Sequence, residues 1–364
     1  MKPRIIAFYL PQFHPIPEND EWWGKGFTEW TNVGKAKPLF RGHYQPRVPA
    51  DLGYYDLRLP EVREAQAELA REAGIEGFCY WHYWFGNGKR ILERPFNEVL
   101  ASGKPDFPFC LGWANHSWYA KEWNADTKKD KLLIEQTYPG EADYKNHFNE
   151  VLKAFKDPRY LKYDNKPIFY IFDPINLPEN FIDLWNKWAI EAGFSAGIYF
   201  VANVFNDQNT VKSKKEILPK GFDAVSFQRM EALYFKNNKP GKALYRIRGF
   251  LNNLFFNKHL FTMNYKKAYP YFVSKEDELE NVIPFMLPNW DHSPRSGKKG
   301  PILFNSTPEF FKQHVKDILH VVSKKENKLV FLKSWNEWAE GNYMEPDLKF
   351  GKGYIKALRE ALDE

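Results

Sequence analysis

The sequence predicts an α/β protein: a single (β/α)8 TIM barrel that uses all of residues 1–364. Three observations lead there. Eight short apolar runs recur along the chain. Segments with helical spacing separate most of them. The turn after the first run, Leu10-Pro11-Gln12-Phe13-His14-Pro15, has none of the glycines that cradle a pyrophosphate in a doubly wound sheet.

The elements follow in order. Ile5–Phe13 is the first strand, and after a long loop Pro60–Ala73 is a helix closed by Gly74. Ile75–Phe85 (strand), Arg90–Ser102 (helix), Phe107–Trp113 (strand) and Ala142–Phe155 (helix) come next. Pro167–Asp173 is the fourth strand, and Glu179–Ala192 its helix. Ile198–Val204 and Phe222–Phe227 are strands five and six. Val282–Met286 is strand seven and Pro308–Ser323 its helix, and Leu329–Trp335 and Gly353–Leu362 close the series. The runs are apolar almost without interruption, as parallel strands covered on both faces require.

An insertion at about 230–275 separates strands six and seven. From Lys236 to Lys267 it holds eight Lys or Arg residues and no Asp or Glu, interleaved with Leu, Phe, Tyr and Ile. Three readings stay open: a solvated insertion with its own small core, a contact with an anionic membrane surface through 236–267, or a seat for an anionic sugar. Nucleic acid is not expected, because no recognition motif accompanies the charge.

Composition narrows the function. The chain is 18% aromatic, with 13 Trp, 20 Tyr and 31 Phe. Indole is seldom buried without a partner for its N–H, so the tryptophans raise the case for a sugar-binding cleft. Cys79 and Cys110 lie in apolar strand runs and are expected as buried free thiols. No signal peptide and no run of about 18 apolar residues is visible, so a cytoplasmic protein without a membrane span is expected. Ser-His-Asp, P-loop and HExxH patterns are absent, and neither metal nor cofactor is expected.

A barrel places its chemistry at the C-terminal ends of its strands. The residues found there are Tyr9 and His14, then His82, Tyr83 and Trp84, then Trp113, Asn115, His116 and Trp118. Asn203 follows strand five, and Trp290 and Asp291 follow strand seven. Strand eight delivers Trp335, Asn336, Glu337, Trp338 and Glu340. All but the two glutamates are candidate substrate contacts. Glu337 and Glu340 are the candidate catalytic pair: glycoside hydrolysis needs one carboxyl to protonate the leaving oxygen and a second as base or nucleophile. Their mutual repulsion and the flanking indoles would push one of them toward protonation. The histidines lack metal-ligand spacing and are read as substrate contacts or structural residues.

Several long motifs carry a resemblance. Phe27-Thr28-Glu29-Trp30-Thr31-Asn32-Val33, Gly42-His43-Tyr44-Gln45-Pro46 and Asp51-Leu52-Gly53-Tyr54-Tyr55-Asp56-Leu57-Arg58 resemble the WbsX-type proteins. So do Trp113-Ala114-Asn115, Trp290-Asp291 with Pro294-Arg295, and Trp335 to Gly341 followed by Glu345-Pro346-Asp347. The resemblance runs essentially end to end. WbsX-type proteins are named glycosyltransferases of bacterial surface-polysaccharide gene sets, and they also look like relatives of glycoside hydrolase family 99. The resemblance implies a retaining, endo-acting hydrolase of an α-mannoside or related surface glycan. It also implies a route through a 1,2-anhydro sugar, with Glu337 deprotonating the 2-hydroxyl and Glu340 as acid/base, and with Tyr9 near the sugar. The alternatives are a transferase or transglycosylase of O-antigen or lipopolysaccharide biosynthesis, and a non-catalytic carbohydrate-binding barrel. The chain departs from the family's usual pattern at His116-Ser117 and at His292-Ser293, both on the rim, which bears on sugar identity.

Overall fold

The computed structural model describes residues 2–120, 130–204, 216–229 and 262–364, the Lys299 side chain excepted. Among the described residues, eight parallel strands form a closed barrel: β1 Arg4–Tyr9, β2 Gly77–His82, β3 Phe109–Trp113, β4 Lys166–Ile171, β5 Tyr199–Val204, β6 Ala224–Phe227, β7 in two pieces, Val282–Ile283 and Phe285–Met286, and β8 Leu329–Leu332. Pro284 interrupts β7. Its first half pairs with β6 (Val282 with Val225) and its second with β8 (Phe285 with Phe331). The β1–β8 ladder, Arg4 with Leu329 through Ala7 with Leu332, completes the ring.

The strands are shorter than the apolar runs. β1 stops at Tyr9 rather than Phe13, because Pro11 follows and has no N–H to continue a ladder. Among the described residues, six principal helices alternate with the strands: α1 Pro60–Ala73, α2 Arg94–Ser102, α3 Glu141–Phe155, α4 Phe181–Glu191, α5 Pro308–Ser323 and α6 Gly353–Asp363. Proline occupies the first turn of α1, α2 and α5, where its missing N–H costs nothing. Gly74 and Gly103 end α1 and α2 in the left-handed conformation. Two short helices, Pro17–Trp23 and Glu29–Lys35, fold the long segment between β1 and α1; the sequence reading treated that segment as loop.

Rings from five strands plug the barrel. Phe8 of β1 lies 4.6 Å from Trp81 of β2, 4.8 Å from Tyr170 of β4, 5.6 Å from Phe285 of β7 and 5.1 Å from Phe331 of β8. Side chains alternate in a strand, so the neighbours Tyr9, Tyr80 and His82 face outward to the helices. Cys79 and Cys110 are free and buried, opposite one another in the β2–β3 ladder.

The basic segment 236–267 falls mostly outside the described residues. Of its flank, Thr262–Asn264 pairs with Ile302–Phe304 beside β7, and Tyr265, Ala268 and Phe272 form a small second core with Leu287, Trp290 and Leu303. No helix among the described residues is long and apolar enough to cross a membrane.

Candidate active site

Glu337 and Glu340 stand on a tight hairpin beyond β8. Asn336 and Glu337 pair antiparallel with Tyr343 and Asn342, and Trp338–Glu340 makes a single turn at the tip. Gly341 ends that turn at φ +58°, and a β-carbon there would lie 2.6 Å from Cβ of Asp291. Asn336 anchors the hairpin to the end of β1, accepting from Leu10 N–H at 2.7 Å and donating to Leu10 C=O at 3.0 Å. From the other side, the Asp291 N–H donates to Glu340 C=O and Arg47 Nη1 donates to Gly341 C=O.

The two carboxyls are nearly buried, Glu337 being 5% and Glu340 9% exposed, and their partners are unequal. Glu337 Oε1 accepts the Trp81 indole N–H at 3.1 Å, so the top ring of the plug holds a site carboxyl. Glu340 Oε1 accepts from Arg295 Nη1, with His292 Nε2 3.6 Å away. Arg295 is itself held by Glu29, whose Oε2 accepts from Nε at 3.0 Å and Nη2 at 2.9 Å. Burial and then the Glu340 charge raise the Glu337 carboxyl to about 8. Burial is the largest influence on Glu340 and disfavours its ionised form, but Arg295, His292, Lys333 and a hydrogen bond with Glu337 together outweigh it and hold that carboxyl well below the usual range. Lys333, at the end of β8, acts on both glutamates. Its ammonium lies 4.5 Å over the Trp290 ring and donates to Gln228 at 3.2 Å. Phe227, Gln228, Phe285, Leu287, Trp290 and Lys333 line much of a small, largely apolar pocket that meets the pair at Lys333.

The other expected contacts fall into three groups, with Trp338 apart. Tyr83 comes close to the pair, where Glu337 and Glu340 both act on its hydroxyl. Trp118 packs edge-on against Tyr83. His116 lies against Phe172, which in turn meets Trp81, and burial lowers its pKa to about 4. With Trp290 these form the near wall.

The structure does not bring Tyr9, His14, His82, Trp84, Trp113 or Trp335 to this place. Tyr9 donates to Gln66 on α1. His82 pairs with His147 of α3 at 2.8 Å, and Trp84 stacks on the same imidazole. Trp113 donates to Trp84 C=O and packs on Phe181 of α4, and Trp335 lies buried beside Phe78. His14 is buried, its charged neighbours being Asp56, Arg58 and Arg94. Each strand-end residue takes the face its parity dictates, and parity turned Tyr9, His82 and Trp113 toward the helices.

Four further candidates serve as clamps. Asn115 ties Asp173 to Tyr138, Asn203 ties Tyr170 to Phe172, and Asn336 holds Leu10. Asp291 is fully buried and accepts from His43 at 2.8 Å, Gln45 at 2.7 Å and Ser293, joining the long first loop to the Glu340 turn. Trp338 donates to buried Glu345 and stacks on Tyr343 at 3.8 Å.

The family model described as Glycosyltransferase WbsX matches residues 5–358. This chain belongs to the WbsX glycosyltransferase family. Its similarity extends to the uncharacterized protein WxcX of Xanthomonas campestris pv. campestris (strain B100), 36% identical over 363 residues that cover 98% of this chain and 49% of that protein. The chain thus spans about half the length of the curated relatives it matches. Among solved structures, a glycoside hydrolase-like protein aligns at TM-score 0.59 and 17% identity, covering 99% of this chain and 94% of its own. The GH99 endo-α-mannosidase from Bacteroides thetaiotaomicron, in complex with Bis-Tris-propane, aligns at 0.57 and 14%, covering 99% and 96%. Identities this low show a shared fold.

In this WbsX-family chain the sequence reading missed Trp81, Glu29, Arg295 and Lys333 as site residues. Glu29 and Arg295 stood inside motifs already singled out, and a buried charged residue in a long motif is the signal that could have found them. Trp81 gave none, because it sits in an unbroken apolar run.

Proposed function

We propose that this chain cleaves a glycosidic bond with retention, acting within an α-mannoside-type or related bacterial surface glycan, with Glu337 and Glu340 as the catalytic pair. One observation carries the reading: two nearly buried carboxyls share a site at the C-terminal end of the barrel, Glu340 accepting a hydrogen bond from Arg295 and Glu337 one from the neutral Trp81 indole. Such a pair holds one proton and one negative charge, which is what general acid and base need together. Participation of the sugar 2-hydroxyl, through a 1,2-anhydro intermediate, is the chemistry suggested by the resemblance to family GH99.

A transferase of O-antigen or lipopolysaccharide assembly would use the same pair, with a sugar hydroxyl in place of water, and the family's name favours it. A non-catalytic sugar-binding barrel has less support, since binding does not call for two buried carboxyls with opposite protonation preferences. The test incubates the protein with α-mannan and surface-polysaccharide fragments, with and without nucleotide sugars, and follows products by mass. Shortened fragments without any nucleotide sugar are expected. Product only in its presence would overturn hydrolysis. Glu337→Gln and Glu340→Gln should each lower turnover at least about 100-fold with unchanged circular dichroism. Full turnover in either variant removes that residue from the chemistry.

A further inference from the structure

We propose that His292, backed by Ser296, is a positioning residue that acts through Glu340: the two side chains form the path by which that carboxyl exchanges a proton with bulk water. The inference rests on the reading of Glu337 and Glu340 as catalytic, and it holds for either division of acid and base work between them.

The need for such a path comes from burial. Glu340 is 9% exposed, and a carboxyl that serves as acid or base changes its protonation state in every cycle. Arg295 cannot supply or remove that proton. A guanidinium keeps its own proton and only donates, so it favours the anion alone. Glu337 shares a hydrogen bond with Glu340, but a proton passed between the two leaves the pair's total unchanged. Exchange with solvent needs a further group that can both give and take a proton. Among the described residues, His292 is the imidazole that meets this carboxyl, with Nε2 3.6 Å from Oε1.

The chain holds that ring in one place. His292 caps the short turn Ser293–Ser296 after β7, the same turn that carries Arg295. Its Nδ1 meets Ser296 Oγ at 2.6 Å. Its ring lies 6.1 Å from that of Trp290, with 19° between the planes. Its backbone N–H donates to Pro301 C=O at 3.0 Å, and a β-carbon on Gly300 would come within 2.9 Å of the His292 carbonyl. The charged groups around the ring are Glu340 and Glu337 on the hairpin, Arg295 on its own turn with Glu29 behind it, and Lys333 across the Trp290 ring. The His292 side chain is 17% exposed and Ser296 is half-buried, so the path opens to water at its outer end. The 3.6 Å gap at its inner end exceeds a hydrogen bond, and such contacts in a free enzyme often tighten only in the substrate complex.

A neutral imidazole has one N–H and one lone pair, and a hydroxyl can donate or accept. While Glu340 is ionised, the Nε2–H of His292 faces Oε1 and the Ser296 hydroxyl donates to Nδ1. Uptake moves protons one place along the line. Nε2 gives its proton to Glu340, Nδ1 takes the proton of Ser296 Oγ, and Oγ takes one from hydronium, which leaves as water. The imidazole ends neutral, with Nδ1–H donating to Oγ and Nε2 accepting from the Glu340 acid. Release runs the same steps backward. One proton enters, one negative charge is lost, and only bonds to hydrogen change.

The experiment has two arms. The first follows the whole chain, labelled with 15N-histidine, by NMR at about pH 8 without substrate, and His292→Gln assigns the His292 signals by removing them. The proton should sit on Nε2 in the wild type, and Ser296→Ala and Glu340→Gln should each move both nitrogen signals. A proton on Nδ1, or signals that neither variant moves, overturns the inference and leaves the proposed function standing. The second arm measures glycan turnover. His292→Gln keeps a hydrogen-bonding side chain but cannot pass a proton, and it should lower kcat about 10–100-fold with KM little changed. His292→Ala should lose as much and regain several-fold when imidazole is added, while the wild type does not respond to imidazole. A role in packing alone would give no such rescue. Full kcat in His292→Gln, or no gain from imidazole in a folded His292→Ala, overturns the inference. If the wild type cleaves no glycan, the proposed function fails by itself and the nitrogen signals still decide whether the path exists.

Discussion

Two buried glutamates with raised pKa values act on different properties as pH climbs, and both effects are losses. Glu337 ionises at about 8, so a step that needs its proton should slow about tenfold per pH unit above that value. A profile flat to pH 10 would contradict it. Glu345 has no place in the proposed chemistry, yet Tyr55, Gln66 and Trp338 all donate to it. Burial still outweighs those donors and lifts it to about 7. The folded state then binds a proton that the unfolded chain has released, so between about pH 4.5 and pH 7 this residue subtracts stability as pH rises. The full effect is on the order of 3 kcal/mol at about 1.4 kcal/mol per unit. Urea unfolding of Glu345→Gln should show a shallower loss of stability across that window than the wild type. Equal slopes would mean that Glu345 is ionised throughout.

At the scale of elements, the hairpin that carries Glu337 and Glu340 depends on Gly341. A side chain there meets Asp291 and comes within 3.0 Å of Arg47 Cζ, at a φ that L-residues avoid. Gly341→Ala should therefore displace Glu340 from Arg295, cutting turnover more than about 10-fold and destabilising by roughly 1–3 kcal/mol. Unchanged turnover would show that the hairpin tolerates the shift. This element was poorly legible in the sequence, because a Glu-x-x-Glu spacing looks the same on a helix, a turn or a hairpin. The inward and outward faces of the strands were hidden too, for a physical reason. A parallel strand between a barrel core and a helical shell is apolar on both sides, so Gly77–His82 carries no alternation from which to learn that Trp81 points in and His82 out. The helices were easier, since Pro60 and Gly74 punctuate α1 at both ends.

At the scale of the whole molecule, eight apolar runs were enough to read the barrel, because every closed parallel sheet of this size needs them. Its closure depends on distant parts. α6 lays buried Ile355 and Leu358 on the barrel, and its far end is tied to α5 by Lys312 and Glu360 at 2.7 Å. Removing residues 353–364 should yield an aggregating protein without a cooperative thermal transition, and a sharp transition in the shortened chain would show that the barrel closes without α6. Phe8→Ala, which empties the centre of the five-strand plug, should cost roughly 3–5 kcal/mol in denaturant unfolding, and a cost under 1 kcal/mol would mean the plug is not a packing unit. The plug ends on Trp81, whose indole N–H reaches Glu337. The barrel therefore has an optical gauge wired to its own chemistry. When Glu337 loses its proton, the field along that indole changes, and the tryptophan spectrum should drift with a midpoint near pH 8 in the wild type and stay still in Trp81→Phe.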